Sequence, residues 1–146
     1  MRNLITNRTQ ADVDRVKILA AKGWQNMTTE EQAEWLSGMK GAYNSTDLNR
    51  VESVVRHLAE ILGVSVTVKT NWVATEIPKQ ADMNRYLENI RKLRAKNYIL
   101  AGTPAVPTSM NNLTYSMAND IEQILTDIEH FTKMWWRSGE VFCGEV

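Results

Sequence analysis

The chain has 146 residues, which is enough for one domain that folds without a metal or a disulfide. Its 17 basic and 17 acidic residues balance, which argues against a general nucleic-acid-binding protein, because such proteins carry a basic surplus. The single cysteine, Cys143, excludes an internal disulfide and fits a reducing compartment, and no apolar run approaches the about 20 residues that a membrane span requires.

Three helices are predicted in the first half of the chain. The first lies between a Thr9 cap and Gly23, and the second opens at Thr28 with a capping-box pattern. The third is capped by Ser45 or Thr46 and has a long apolar stripe at helical spacing. That stripe comprises Leu48, Val51, Val54, Val55, Leu58, Ile61 and Leu62.

The sequence period then changes from helical to alternating. Val64, Val66 and Val68 alternate with polar residues, which predicts a short extended or β segment near 64–75 that can turn into a small hairpin. Such a hairpin is marginal alone, so it has to pack on the helices or pair with another chain.

Two further helices follow. The fourth starts near Pro78, and a proline-containing linker at 102–107 leads to a long fifth helix from about Thr114 to Trp136. The exposed face of the fourth helix carries the basic residues Arg85, Arg91, Lys92, Arg94 and Lys96. We interpret this face as solvated, with an acidic partner surface or a phosphate backbone as the alternative.

Together these elements predict a mainly α protein. Residues 1–136 form an irregular bundle of about five helices with the short extended segment, and residues 137–146, which lack helical periodicity, form an extended C-terminal arm. Adjacent tryptophans on a helix point about 100° apart and are hard to bury in one small core. The candidate interface residues are therefore Trp135, Trp136, Val141, Phe142 and Val146, with a tail folded back over its own domain as the alternative.

A period of 35 residues relates four helix starts. Residues 12–16, 47–51 and 82–86 read Asp-Val-Asp-Arg-Val, Asp-Leu-Asn-Arg-Val and Asp-Met-Asn-Arg-Tyr, and residues 117–121 keep the asparagine and the final apolar residue. Such a period is typical of helical solenoids, but the segments between the matched helices are unlike one another. We interpret it as convergent helix-start chemistry, with a decayed duplication as the alternative.

The same period contains three asparagines, Asn49, Asn84 and Asn119, each two residues before an apolar stripe position. At the edge of a core, an unsatisfied amide costs about 1–3 kcal/mol. We therefore predict a structural role for them, in which at least one ties a helix to the backbone of a neighbouring loop.

A search for catalytic or metal-binding patterns gives no candidate. Neither His57 nor His130 has a partner at a metal-ligand spacing, and nothing beside Cys143 would activate a thiol. Nucleotide-binding and nucleophile-elbow motifs are absent from the sequence. We predict a protein that is not an enzyme and that binds no cofactor and no metal.

Two carboxylate pairs remain on the predicted fifth helix. Asp120 with Asp127 and Glu122 with Glu129 are each seven residues apart, which places both members of a pair on one helix face. With no histidine partner, we interpret these residues as a solvated face and not as a catalytic or metal dyad.

Several short segments of the sequence are distinctive but contain no catalytic or ligand-binding motif. They are Asp12–Val16, Ala42–Glu52, Leu113–Tyr115, Ala118–Glu122 and the closing Ser-Gly-Glu-Val with Gly-Glu-Val in residues 138–146. Together they resemble a small module of tailed phages and prophages of Firmicutes, which occurs alone or within larger tail, baseplate or fibre-related structural proteins. The resemblance extends from about Asn3 to Val146 and carries over no catalytic residue.

This resemblance implies a virion structural or assembly protein that acts as an adaptor or spacer. We expect it to be made in the bacterial host cytoplasm and to join other virion or tail subunits, in a homo-oligomer or a hetero-assembly, without membrane or nucleic acid. The alternative is a helical regulatory or nucleic-acid-associated protein that uses the basic face of the fourth helix.

Overall fold

The computed structural model describes residues 3–97 and 100–144, with side chains described as far as Trp135. Within these ranges it contains five α-helices and no β-strand, which confirms the mainly α fold class. The helices are α1 (Gln10–Lys22), α2 (Thr29–Leu36), α3 (Ser45–Leu62), α4 (Gln80–Lys96) and α5 (Tyr115–Gly144). A 3-10 turn, Trp24–Asn26, joins the first two.

The main core lies between α3, α4 and α5. Each helix contributes an apolar stripe at helical spacing, and full burial of one large apolar side chain stabilises the fold by about 1.5–3 kcal/mol. The predicted stripe of α3 is confirmed apart from Ile61, which is exposed. The apolar side chains of this core that are at most 1% exposed are Val51, Val54, Val55, Leu58, Tyr86, Leu87, Ile90, Leu93, Ile121, Ile124 and Leu125.

α1 and α2 form a smaller unit around a second cluster of Leu19, Met27 and Met39. The chain that leaves α2 lies directly on the backbone of α1 at Gly41. A Cβ atom at this position would lie 2.1 Å from the carbonyl oxygen of Asp12, so only glycine fits there.

Four helices begin 35 residues apart, at Gln10, Ser45, Gln80 and Tyr115. At the first three starts, an aspartate accepts a hydrogen bond from the backbone N–H of the cap residue at 2.8–2.9 Å; these aspartates are Asp12, Asp47 and Asp82. At the fourth, the N–H of Met117 donates to the Thr114 hydroxyl. The period therefore marks helix starts, in agreement with the helix-start interpretation, while a decayed duplication stays an alternative.

Two expectations about local structure are wrong. The cap of α3 is Asn44, whose side chain accepts from the N–H of Thr46, and neither Ser45 nor Thr46 caps the helix. The segment near 64–75 forms no strand or hairpin among the described residues. Its three valines nevertheless pack against the core while the polar residues between them are exposed, so the alternation records burial without strand pairing.

The end of α5 also differs from the expectation. The helix does not stop at Trp136 but continues to Gly144, so that residues 137–144 are helical and do not form an extended arm. Glycines in this stretch lower helix propensity, but it contains no proline, and nothing in it removes a helical hydrogen bond.

Candidate functional site

Two irregular segments are held on the bundle by asparagine side chains. Nδ2 of Asn49 donates to the carbonyl of Trp72 at 2.8 Å, and Oδ1 accepts from the N–H of the same residue at 2.7 Å. Asn119 makes the same pair of bonds with the backbone of Arg8, at 3.0 and 2.9 Å. The structure thus shows helix-to-loop ties at two of the three asparagines. Asn84 is exposed and accepts a bond from Gln80 on its own helix.

A glutamate three residues after each tying asparagine completes the contact. Oε2 of Glu52 accepts the indole N–H of Trp72 at 2.8 Å. Oε1 of Glu122 accepts an N–H of the Arg8 guanidinium, also at 2.8 Å. We call these two arrangements the Trp72 clamp and the Arg8 clamp. Each holds one residue of a crossing segment by its backbone and by its side chain.

The Arg8 clamp belongs to a buried ion cluster in which two guanidinium groups face two carboxylates. Arg8 contacts Asp47 at 3.0 Å, and Arg50 contacts Glu122 at 2.7 Å. The second oxygen of Glu122 accepts the backbone N–H of Ile5 at 2.6 Å. Burial opposes the charge on Arg50, but its bonds to Glu122 and Asp47 outweigh this and raise its pKa above the usual value. The balanced cluster fixes the N-terminal segment across α3 and α5.

The interpretation of the carboxylate pairs on α5 as a solvated face is wrong for Glu122, which is 0% exposed. Its pair member Glu129 lies 3.2 Å from Lys133, and Asp127 accepts hydrogen bonds from Thr103 and Gln123. These carboxylates serve contacts within the chain.

Two tyrosine hydroxyls lie beside the ion cluster. Tyr43 and Tyr86 share a hydrogen bond through their hydroxyl groups, and the Arg8 guanidinium lies 5.4 Å from the centre of the Tyr43 ring. Burial raises the pKa of both hydroxyls well above the usual value for tyrosine, and the charge of Glu122 adds to the rise. Both hydroxyls are therefore neutral at ordinary pH, and one donates to the other.

The arginines on the basic face of α4 make contacts within the chain, so the solvated-face interpretation is wrong for Arg85 and Arg94, whereas the side chain of Arg91 is 40% exposed. Three of them donate to carbonyl oxygens of irregular segments: Arg85 to Thr67, Arg91 to Pro107 and Arg94 to Pro104, at 2.6–3.0 Å. The carbonyl of Thr67 also accepts from Asn89. Thr67 lies in the segment predicted as a hairpin, whereas Pro104 and Pro107 lie in the linker before α5, and Lys92 and Lys96 are exposed.

The candidate interface residues fall into two groups. Trp135 is 74% exposed, and its neighbour Met134 is 55% exposed. The side chains of Trp136, Val141 and Phe142 lie outside the described part of the structure, as does the whole of Val146.

A separate apolar groove of about 440 Å³ lies between α2 and residues 72–78. Leu36 and Val73 are exposed on its walls, and Leu48 lines it. The surface thus has exposed apolar side chains on α5 and beside α2.

The residues considered as catalytic or metal-binding candidates lie on different elements. His57 is half-buried on α3, His130 is exposed on α5, and the side chain of Cys143 is outside the described set. Among the described residues, His, Cys, Asp and Glu form no group of three that would hold a metal ion. Within the same residues, no helix combines the length and apolar character needed to cross a bilayer.

Sequence reasoning missed Arg8 and Glu52 and misassigned Glu122. A signal was available, because the string Asn-x-x-Glu occurs at 49–52 and again 70 residues later at 119–122. In both strings the glutamate lies in the phase of the apolar stripe, which indicates a buried carboxylate with a partner.

No protein-family model matches the chain, and no significant match is found among curated proteins or among solved structures.

Proposed function

We propose that this protein is a structural or assembly component of a tailed phage or a phage-tail-like particle, acting as an adaptor or spacer through protein–protein contacts. The observation that carries the proposal is the exposed apolar surface of α5 at Met134 and Trp135. Tryptophan and methionine are enriched at protein interfaces, and exposed apolar patches mark interaction sites. The resemblance to phage tail-associated modules supports the particle context.

The length of α5 supports the spacer role. Among the side chains that the structure describes, the last apolar residue of α5 in the core is Ile128, whereas the helix continues for sixteen further residues to Gly144. A helix rises about 1.5 Å per residue, so this stretch spans roughly 24 Å. Met134 and Trp135 are exposed within it and are available to other subunits.

The first test is the solution mass by light scattering behind a sizing column. We compare the full chain with a chain that ends at Trp136 and with a Trp135→Ser variant. The full chain is expected to form a discrete oligomer that dissociates in both variants. The matched control is Trp24→Ser, which removes another exposed tryptophan outside α5 and should leave the mass unchanged.

Two further measurements complete this test. Circular dichroism should show a folded truncated chain that has lost only the contribution of helical residues 137–144. If the full chain is a monomer, pull-downs against the other proteins of the particle should capture a partner only when Trp135 is present. A monomeric chain that captures none of them contradicts the proposal.

The alternative function, nucleic-acid association through α4, has less support from the contacts. Arg85, Arg91 and Arg94 donate to groups of this chain, and the formal net charge is zero. A salt-dependent affinity for duplex DNA that Lys92→Glu weakens would favour this alternative.

A further inference from the structure

The buried apolar stripe of α5 continues beyond the core. Ile121 and Ile128 are seven residues apart and at most 2% exposed, and the next residue at the same spacing is Trp135, which is 74% exposed. A helix drifts by only about 20° over seven residues, so the three side chains lie on one face. Phe142 follows at the same spacing in the sequence. The face that holds α5 in the core therefore extends into the part of the helix after Ile128.

A neighbouring helix that covers this face ends where the core ends. Arg94 of α4 and Asp127 of α5 both hydrogen-bond to Thr103, and α4 ends two residues after Arg94. The end of α4 is therefore close to the level of Ile128. Trp135 lies seven residues further along α5, which explains why a side chain in phase with the core is exposed.

The spacing of the stripe fits a second helix. Its positions alternate four and three residues apart: Ile124, Ile128, Phe131 and Trp135. Apolar residues at this spacing pack into a facing helix, and within the core α3 and α4 are the facing helices. Every other copy of the chain carries a helix with the same stripe. Residues 129–144 contain two acidic and two basic residues, so identical copies of this stretch have no net charge to repel each other.

The positions of α3 and α4 determine the orientation of such a pair, because both pack on the same face of α5 as the stripe. Two copies that pair in parallel would bring both sets of α3 and α4 into the space between the two α5 helices. An antiparallel pair avoids this overlap, because each helical body then lies past the Gly144 end of the other copy. The sixteen residues after Ile128 provide roughly 24 Å of overlap.

We propose that residues 129–144 of α5 pair with the same residues of a second copy, antiparallel and about a two-fold axis, with Trp135 in the contact. Such a contact is isologous, so the same face is buried on both copies and the assembly closes as a dimer. The inference rests on the proposed function, because it names the partner of the α5 surface. The apolar groove beside α2, which no described residue of α5 lines, is the competing site for Trp135.

Light scattering tests the stoichiometry. The full chain should have twice the mass of a single chain, and Trp135→Ser should have the mass of one chain. Lys133→Ser is the matched control, because Lys133 is exposed on the same stretch but lies about 200° round the helix from Trp135, and it should stay a dimer. A monomeric full chain, an oligomer larger than a dimer, or dissociation of Lys133→Ser overturns the inference.

Spin labels test the orientation, with distances measured by double electron–electron resonance. The natural chain takes one label at its single cysteine, Cys143, and Arg137→Cys/Cys143→Ser takes one near the middle of the stretch. In a fully overlapped antiparallel pair the two 143 positions are about 13 residues apart, or roughly 20 Å along the axis, whereas the two 137 positions lie side by side. The distance between labels should therefore be longer at 143 than at 137.

Equal distances at the two positions indicate a parallel pair and overturn the inference. An oligomer that depends on Trp135 but gives no distance between α5 helices overturns it as well, and then indicates the groove beside α2 as the site for Trp135. In both cases the proposed function stands, because its test requires only that assembly depends on Trp135. If the full chain is a monomer, this inference fails while the proposed function is decided by the pull-downs.

Discussion

An asparagine side chain carries the donor and the acceptor of a peptide unit on a short stem. In this protein that property allows a helix to satisfy backbone groups of a segment that has no strand to pair with. Asn49 and Asn119 do so in the same way at two places, and each bond pair lies at the edge of the core. The stability of the fold therefore depends on individual polar side chains as well as on the apolar stripes.

Replacing Asn49 by alanine should destabilise the protein by about 1–3 kcal/mol, because both backbone groups of Trp72 lose their partner. Asn84→Ala is the matched control and should change stability by less than about 0.5 kcal/mol, since its amide holds no backbone. Urea unfolding of both variants measures the difference. Equal losses would show that the Trp72 clamp contributes nothing beyond helix propensity.

Removing a charge from the buried ion cluster should destabilise the protein more than the loss of Asn49. Arg8→Met leaves Asp47 and Glu122 facing only one guanidinium group, and breaking a buried ion pair costs about 3–5 kcal/mol. Arg15→Met removes an arginine of the surface pair with Glu34, whose side chains are 42% and 39% exposed, and should have a small effect. Unfolding by urea or by heat, without an added salt, measures the stability of the two variants. If Arg8→Met is no less stable than Arg15→Met, the remaining groups of the cluster rearrange or become hydrated.

The apolar core positions could be predicted from the sequence, but the buried polar contacts could not. The stripe of α3 and the need for a helix-to-loop tie followed from spacing alone. The role of Glu122 did not, because a carboxylate on a helix is solvated unless a cation meets it, and Arg8 lies 114 residues away in the chain. A long-range partner of this kind cannot be inferred from local periodicity.

Helix starts were easier to predict from the sequence than helix ends or irregular segments. The carboxylates of Asp12 and Glu31 bond to their cap residues within three positions, so the signal is local. In the segment predicted as a hairpin, Arg85 and Asn89 on α4 bind the carbonyl of Thr67, and Asn49 on α3 binds both backbone groups of Trp72. Helix side chains thus take the place of strand partners at these two residues.

The close contact between α1 and the chain leaving α2 can be tested by substitution of Gly41. Gly41→Ala places a methyl group within 2.1 Å of the Asp12 carbonyl oxygen, so the backbones must separate. Overpacking of this kind costs about 1–3 kcal/mol. Gly63→Ala is the contrasting variant, because an added Cβ there meets nothing within 4 Å and any cost comes from the positive φ of 67°. Heat denaturation together with amide exchange on α1 measures both effects. If α1 stays as protected in Gly41→Ala as in the unmodified protein, the close contact is not required.

The formal net charge of the whole molecule is zero, and its buried tyrosine pair contributes to how stability changes at alkaline pH. The pKa of both Tyr43 and Tyr86 is raised in the folded state, whereas an unfolded tyrosine titrates near pH 10. Above about pH 10 the unfolded chain loses protons that the folded chain keeps, so stability falls as pH rises. Below that pH the contribution is fully present.

The double variant Tyr43→Phe/Tyr86→Phe should therefore lose stability less steeply between about pH 9.5 and 11 than the unmodified protein. All other side chains are the same in both proteins, so their contributions cancel in the comparison. Urea unfolding across this range, normalised to each protein at pH 8, gives the two slopes. Identical slopes would show that the paired hydroxyls do not titrate differently on unfolding.

The Arg8 clamp joins the segment before α1 to α5, since Ile5 and Arg8 bind Glu122 and Asn119 across 117 and 111 positions. During translation Ile5 and Arg8 are made long before α5, so their partners do not yet exist when they leave the ribosome. Contacts of such long range close late in folding. A product of premature termination before α5 therefore keeps a loose N-terminal segment and an incomplete core, both open to proteases. The clamp consequently forms only in chains that already contain α5.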